Sequence, residues 1–443
     1  MSGIAIGGIM FLVLLAMLVL RVHIGITMFI VGAGGYLTMN GGNWLPLLNM
    51  LKSMAYARLS NYDLAVIPMF LLMGQFATHG GLSRSLFKCV SSLVGHWRGG
   101  VAMASVGACA GFGAICGSSL ATAATMGQVA LPELRRYKYS GALATGALAA
   151  GGTLGIMIPP SVPLVIYAVL TQESIGKLFM AAVLPGTIAM LGYMLVIRII
   201  VTLKPEAGPA GPHVSAGEKL RSIMNVFPVA LVFLVVIVGI YGGWANPTEA
   251  ASIGAAACGI LAIVTGGMRL TGVKESILGA AEATAMIFLV LLGADMLNSG
   301  LALTQMPVEL ANWVKDSGLS PLLIMGTILV IYIFLGCVMD SLAMILLTIP
   351  IFYPVIMGLD FWGLAQGDKS IWFGILVLMV VEIGLVHPPV GMNIYIINRL
   401  AKDVPLTETF KGVMPFLASD LLRILLLLFF PIIPLFLVQT FGG

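Results

Sequence analysis

The chain has 443 residues, 59% of them hydrophobic and only 9% charged, with a formal net charge of +4. A soluble domain carries about 25% charge, so this composition, with a mean hydropathy of +1.06, excludes a soluble globular protein and indicates a polytopic membrane protein. No Lys/Arg-rich run with interleaved aromatics occurs, so the excess positive charge belongs to loops and not to a nucleic-acid surface.

The apolar runs fall near residues 3–20, 24–38, 63–78, 101–131, 141–170, 179–200, 223–242, 248–265, 281–299, 320–357, 371–398 and 412–438. The first lacks a basic n-region and an A-x-A site, and so reads as a transmembrane helix and not a cleaved signal peptide. Runs 101–131 and 320–357 exceed the ~20 residues of one span and have polar or Gly-rich middles. Runs 141–170 and 371–398 each carry Pro-Pro near the middle, where an interior proline costs roughly 3 kcal/mol. GALATGALAAGG, Gly141 to Gly152, suits close helix–helix contact in lipid. The Pro/Gly-rich stretch KPEAGPAGPHVSAGEK, from Lys204, is the clearest linker and divides the chain near its midpoint. The cysteines Cys89, Cys109, Cys116, Cys258 and Cys337 form no CxxC pair and read as packing residues. The methionines read as lipid-facing or core filler.

The halves share an order of features. The first has S-L-A at Ser119 and then Pro159-Pro160; the second has S-L-A at Ser341 and then Pro388-Pro389. Basic residues mark cytoplasmic loops. Arg84, Lys88 and Arg98 precede run 101–131, and Arg135, Arg136 and Lys138 follow it, so both ends face the cytoplasm and the run is a re-entrant hairpin with its tip near Gly117-Ser118-Ser119. Run 320–357 has mixed flanks and enters from the opposite face, with its tip near Asp340-Ser341. Lys52 and Arg58 are exceptions, in an outer loop read as an interfacial helix. The expected fold is all-α and polytopic: two inverted-topology repeats, each with a re-entrant hairpin and a Pro-broken helix, the pattern of a secondary transporter. A membrane enzyme is disfavoured, since no HExxH, GxSxG or His pair occurs. A passive channel explains hairpins from opposite faces less readily.

A broken helix offers carbonyls at one cut end and N–H groups at the other. Carbonyls of Gly155 to Ile158 facing Gly117-Ser118-Ser119 make an oxygen-only Na⁺ site. Leu385 to His387 face Gly336 to Ser341, where Asp340 adds a carboxylate; Asp340 is equally an N-cap, and both roles can hold. Asn246-Pro247-Thr248-Glu249 reads as a capping box. Glu282 is expected near its helix start, and Asp295 paired with a group such as Asn298. Glu382, deep in its run, either helps a cation or braces the loop. His387 contributes its side chain or its carbonyl alone. Ser119, Pro160, Ser161, Ser341, Pro389 and Asn393 are the candidate substrate-facing positions, with N-capping an equal account of Ser161 and Asn393.

The segments GFGAICGSSLATAATMGQVALPEL, GTLGIMIPPSVPLVIY, SIGKLFMAAVLPG, NPTEAA and EIGLVHPPVGMN run in order over most of the chain. Through them the sequence resembles the large membrane subunit of tripartite ATP-independent periplasmic (TRAP) transporters. The resemblance implies an elevator-type ion-transporter superfamily fold in a bacterial or archaeal inner membrane. A transport domain of hairpins and broken helices slides against a scaffold; two or more Na⁺ drive uptake of an organic anion, a carboxylate or sulfonate. It also implies a small four-helix membrane subunit and a periplasmic substrate-binding protein as partners. The implied Na⁺ ligands are Ser118, Gly155 and Ile158 at one site and Gly336, Asp340 and His387 at the other. The implied division is scaffold 1–100, first hairpin and broken helix 101–170, scaffold 171–299 with linker 204–220, second hairpin and broken helix 300–411, and scaffold helix 412–443. His387 departs from the family's commoner TPPVG, where Thr stands. A stand-alone Na⁺-coupled organic-acid transporter or antiporter is the alternative.

Overall fold

Polar caps punctuate the apolar runs and set where helices begin. The computed structural model describes residues 2–337 and 339–442, so Val338, within the expected second tip, lies outside the described residues. The described residues contain helices and no strand, as the sequence predicts. In chain order these are α1 (Gly3–Val19), α2 (Ile24–Met39), α3 (Trp44–Leu59), α4 (Val66–His79), α5 (Leu82–Val94), α6 (Gly100–Cys116), α7 (Ser119–Arg136), α8 (Gly141–Met157), α9 (Val162–Thr171) and α10 (Ile175–Leu203). The second half has α11 (Ala216–Tyr241), α12 (Pro247–Val264), α13 (Leu270–Thr304), α14 (Met306–Asp316), α15 (Pro321–Gly336), α16 (Ser341–Met357), α17 (Gln366–Val386), α18 (Met392–Leu400), α19 (Leu406–Phe429) and α20 (Ile432–Phe441). Six of them are long and apolar enough to cross a membrane, or up to eight spans if each bent pair counts as one.

Both long runs become helix pairs. In α6–α7 and α15–α16 each arm has 16 to 18 residues, or about 25 Å at 1.5 Å per residue, short of a ~30 Å hydrocarbon core. Runs 141–170 and 371–398 break as expected, α8 turning into α9 by 41°. The capping box at Asn246 and Glu249 is present with Pro247 in the first turn.

Several expectations change. Glu282 is not near a helix start: α13 begins at Leu270, and Glu282 sits exposed in its interior. The first turns of α13 are polar, so an apolar-run reading starts the helix late. The amphipathic α5, with Arg84 and Lys88, was hidden for the same reason; it leaves α4 at 70°. Asp295 pairs with Arg58 of α3 and not with Asn298. That ion pair anchors α3 to α13 and accounts for one basic residue that defied the loop rule. The linker is not slack: Ala207 and Gly208 are buried, and its carbonyls accept from Gly99 and Ser140 N–H, at 2.9 and 3.0 Å.

Two packed groups result. In one, α2 lies along α13, and α4 packs on α12 and α13. In the other, α6 and α7 pack on α8, and α15 and α16 on α17. Helices α10 and α19, which the sequence division assigns to the scaffold, also pack along α8. A Cβ on Gly146 would fall 2.4 Å from the Gly412 carbonyl, so the small residues of α8 serve the α19 contact. Helix α17 is buried from Lys369 to Val386, which is why it is apolar on every side. The outer half-helices cross over: α9 of the first repeat packs on α16, and α18 of the second packs on α7 and α8.

Candidate functional site

The two breaks have the same local construction. Helix α8 is C-capped by Ile158 and α17 by His387, both extended, each followed by Pro-Pro. Proline has no N–H, so Pro159 and Pro160 leave the carbonyls of Gly155 and Ile156 without their helical donors. Pro388 and Pro389 remove the same donors from Gly384 and Leu385, although the Gly384 carbonyl accepts instead from the His387 N–H at 3.3 Å. The Pro159–Pro160 and Pro388–Pro389 peptides are both cis.

Each break touches its own hairpin through glycine. A Cβ on Gly155 would lie 2.5 Å from Thr122 Oγ1 and 2.7 Å from the Ser118 carbonyl oxygen. In the second repeat a Cβ on Gly384 would lie 2.4 Å from Gly336 Cα. Gly384 escaped the sequence reading, although Gly-x-x-x-Pro-Pro occurs in both repeats, GIMIPP and GLVHPP.

The tips are helix starts. Gly117, at φ +63°, ends α6, and Ser118 caps α7 by accepting from the Ala121 N–H at 3.4 Å. Asp340 caps α16 through Oδ2, accepting from Leu342 and Ala343 N–H at 3.2 and 3.4 Å. The N-cap role of Asp340 is therefore real, and its other carboxylate oxygen takes no part in it.

Both tips line one cavity of about 160 Å³, with Ser118 and Ser119 from the first and Asp340 and Ser341 from the second. Ile156 and Leu385 close it from the two broken helices, and Met286 and Ile287 of α13 from the other group. The remaining candidates lie outside that cavity. Gly155, Gly336 and His387 sit at the tip–break junctions, while Ile158 is at the first break with its side chain against Gly186 of α10. Pro160 backs the first tip, its carbonyl oxygen 3.2 Å from a Cβ on Gly117, while Pro389 is exposed. Ser161 stands at the N-cap of α9 but makes no cap bond, and its buried Oγ has no partner among the described residues. Asn393 is no N-cap either, since Gly391 holds that position at φ +64°. Its amide donates to the Ala149 carbonyl of α8 at 3.3 Å, so it is packed between repeats. His387 turns its ring back on the break: Nδ1 meets the Pro388 carbonyl and lies 3.6 Å from Cys337 Sγ.

Behind the first break is a buried polar network. Asp420 Oδ1 and Arg423 Nη2 of α19 are 2.8 Å apart. Tyr193 of α10 donates to Asp420 Oδ2 at 3.0 Å, and its hydroxyl is 3.1 Å from Thr153 Oγ1 of α8. Arg423 Nη2 reaches within 3.9 Å of Met157 Sδ, at the break itself. Single-residue reading could not find these partners, because Asp420 and Arg423 lie in a run that otherwise reads as one span. Ser119 Oγ donates to Glu382 Oε2 at 2.6 Å, so Glu382 braces the first tip from the second repeat.

These features define an all-α polytopic membrane protein of the inverted-repeat, re-entrant-hairpin class. The family described as tripartite ATP-independent periplasmic transporter, DctM component, matches residues 11–433, and the chain belongs to it. It is 36% identical to the C4-dicarboxylate TRAP transporter large permease protein DctM of Pseudomonas aeruginosa, over 86% of this chain and 87% of that one. It is 30% identical to the sialic acid TRAP transporter large permease protein SiaM of Vibrio cholerae, over 89% and 91%. In fold it is similar to the crystal structure of the Alcanivorax borkumensis YdaH transporter, with a TM-score of 0.62 at 13% identity, over 86% of this chain and 88% of that one. The chain is thus a multi-pass TRAP transporter large permease.

Proposed function

We propose that this permease performs Na⁺-coupled uptake of an organic anion across the inner membrane. A periplasmic binding protein delivers the anion, and a small four-helix membrane subunit completes the scaffold. The observation that carries this reading is the pair of Gly-x-x-x-Pro-Pro breaks, each pressed against a hairpin tip, with both tips meeting in one cavity. Backbone carbonyls at the breaks, the Ser118 hydroxyl and the Asp340 carboxylate are hard oxygen ligands that suit a Na⁺ ion, with Gly155 and Ile158 at one junction and Gly336 and His387 at the other. Ser341 supplies the cavity with a hydroxyl donor for a carboxylate, while the one hydroxyl proton of Ser119 is held by Glu382. Relatives named for C4-dicarboxylate and sialic acid transport make a carboxylate the first substrate class to test.

The hairpins and broken helices, with α10 and α19 packed on α8, move as one body against α2, α4, α12 and α13. The cavity between the groups carries the anion in an elevator step. Moving one charge through 100 mV supplies about 2.3 kcal/mol, so two Na⁺ suffice to concentrate a monovalent anion many-fold. The test is proteoliposome uptake of labelled carboxylates with both partners present. Uptake should require inward Na⁺ and binding protein together. Equal uptake without Na⁺ would overturn the coupling, and equal uptake without the partners would favour a stand-alone carrier.

A further inference from the structure

We propose that the Ser119–Glu382 hydrogen bond couples the two helix breaks, so that cation occupancy at one sets the affinity of the other. This rests on the cation reading above. Glu382 belongs to α17, half a turn before Gly384 and just over a turn before the second break. Its Oε2 accepts from Ser119 Oγ at 2.6 Å, while Oε1 has no partner among the described residues and the side chain is 1% exposed. Ser119 is the first residue of α7, next to Ser118, whose carbonyl oxygen packs against Gly155 at the first break. One hydrogen bond therefore joins the first tip to the helix that forms the second break.

A carboxylate buried with a single donor strongly resists losing it, and among the described residues no second hydrogen-bond donor reaches Glu382. Any shift of the first tip that breaks the Ser119 bond strands Glu382. The tip and α17 consequently move together. Helix α17 is buried along its length and rises about 1.5 Å per residue, so it transmits displacement rather than absorbing it. Its next contact is Gly384 on Gly336, the base of the second tip. The crossed packing of α9 on α16 and of α18 on α7 reinforces the path. Coupling between sites is reciprocal, so the Na⁺ dependence should be cooperative.

The test is the Na⁺ dependence of uptake by the complete complex in proteoliposomes. Wild type should give a Hill coefficient approaching 2, the limit for about two fully coupled sites. Ser119→Ala and Glu382→Ala should lower it toward 1 and raise half-saturating Na⁺ by about tenfold. Ser119→Thr, which restores a hydroxyl, and Glu382→Gln, which keeps an acceptor oxygen, should retain the wild-type coefficient. A Ser119→Ala complex as cooperative as wild type would overturn the coupling, as would equal loss of cooperativity in Glu382→Gln and Glu382→Ala. Where a variant is transport-inactive, Na⁺-dependent thermal stabilisation of the purified protein gives the same binding curve and the same two outcomes. Wild-type uptake independent of Na⁺ defeats the cation reading and the coupling together. A cooperative wild type with a cooperative Ser119→Ala defeats the coupling alone.

Discussion

The two helix breaks share a backbone plan but differ in chemistry. At the first, Pro159, Pro160 and Ser161 are buried, and the neighbouring side-chain oxygens are the neutral ones of Ser118 and Thr122. At the second, Pro389 and Val390 are exposed, Asp340 adds a carboxylate, and His387 folds over the junction. The first junction is enclosed, with its charged neighbours Glu382 and Arg423 one contact behind it. The second is more open and has a carboxylate at its tip. On the proposed cation reading, fit should matter most at the first break and charge at the second.

The sharpest way to break that comparison is volume at the first site. Gly155→Ala puts a methyl where Thr122 and the Ser118 carbonyl already sit, and overpacking of this kind costs about 1–3 kcal/mol. Uptake should be abolished while the protein still reaches the membrane, as transport assays and detergent-solubilised yield will show. Uptake near wild type would mean that the first junction is not a fitted site. Charge at the second comes next. Asp340→Asn keeps a good N-cap but removes the carboxylate, and half-saturating Na⁺ should rise by at least about tenfold, since that is about 1.4 kcal/mol and ion–charge attraction supplies up to a few kcal/mol. An unchanged Na⁺ titration returns Asp340 to capping alone. Ser118→Ala should be milder, with a few-fold weaker Na⁺ dependence and about 1 kcal/mol less stability from the lost cap. The smallest effect is expected from His387→Thr: if the carbonyl does the work, Na⁺ affinity should change by less than about twofold. A larger change would make the imidazole a participant and deepen the contrast between the sites.

What the sequence reveals divides along similar lines. Pro159-Pro160, Pro388-Pro389 and the caps at Asn246 and Asp340 are local chemistry, and local chemistry is legible one segment at a time. The hairpins follow from run length and basic flanks. Helix α5 and the polar start of α13 do not, because amphipathic turns at the edge of an apolar run carry no hydropathy signal. Arg58 with Asp295, and Ser119 with Glu382, are joined across separations of 237 and 263 residues. Only the fold brings them together, and a single chain gives no hint of which acid meets which partner. Gly384 is the instructive omission. Its spacing from Pro388 repeats that of Gly155 from Pro159, and setting the two breaks side by side from Gly to Pro would have found it.

The stretch between the repeats has a consequence for how the polypeptide can be opened. Gly208 accepts from the Gly99 N–H and Ala207 from the Ser140 N–H, Gly211 donates to the Gly95 carbonyl, and Tyr139 donates to the Pro209 carbonyl. Residues 207–211 therefore strap both ends of the first hairpin together, as the lacing of a shoe holds two edges at a fixed gap. A tag inserted there, or a cut made there, would loosen the hairpin itself. A few residues on, His213 and Val214 lie outside any helix and their backbone makes none of these ties, before Ser215 caps α11. A break between His213 and Val214 should leave the strap on the first half and the Ser215 cap of α11 on the second, which co-expression of the two pieces will test.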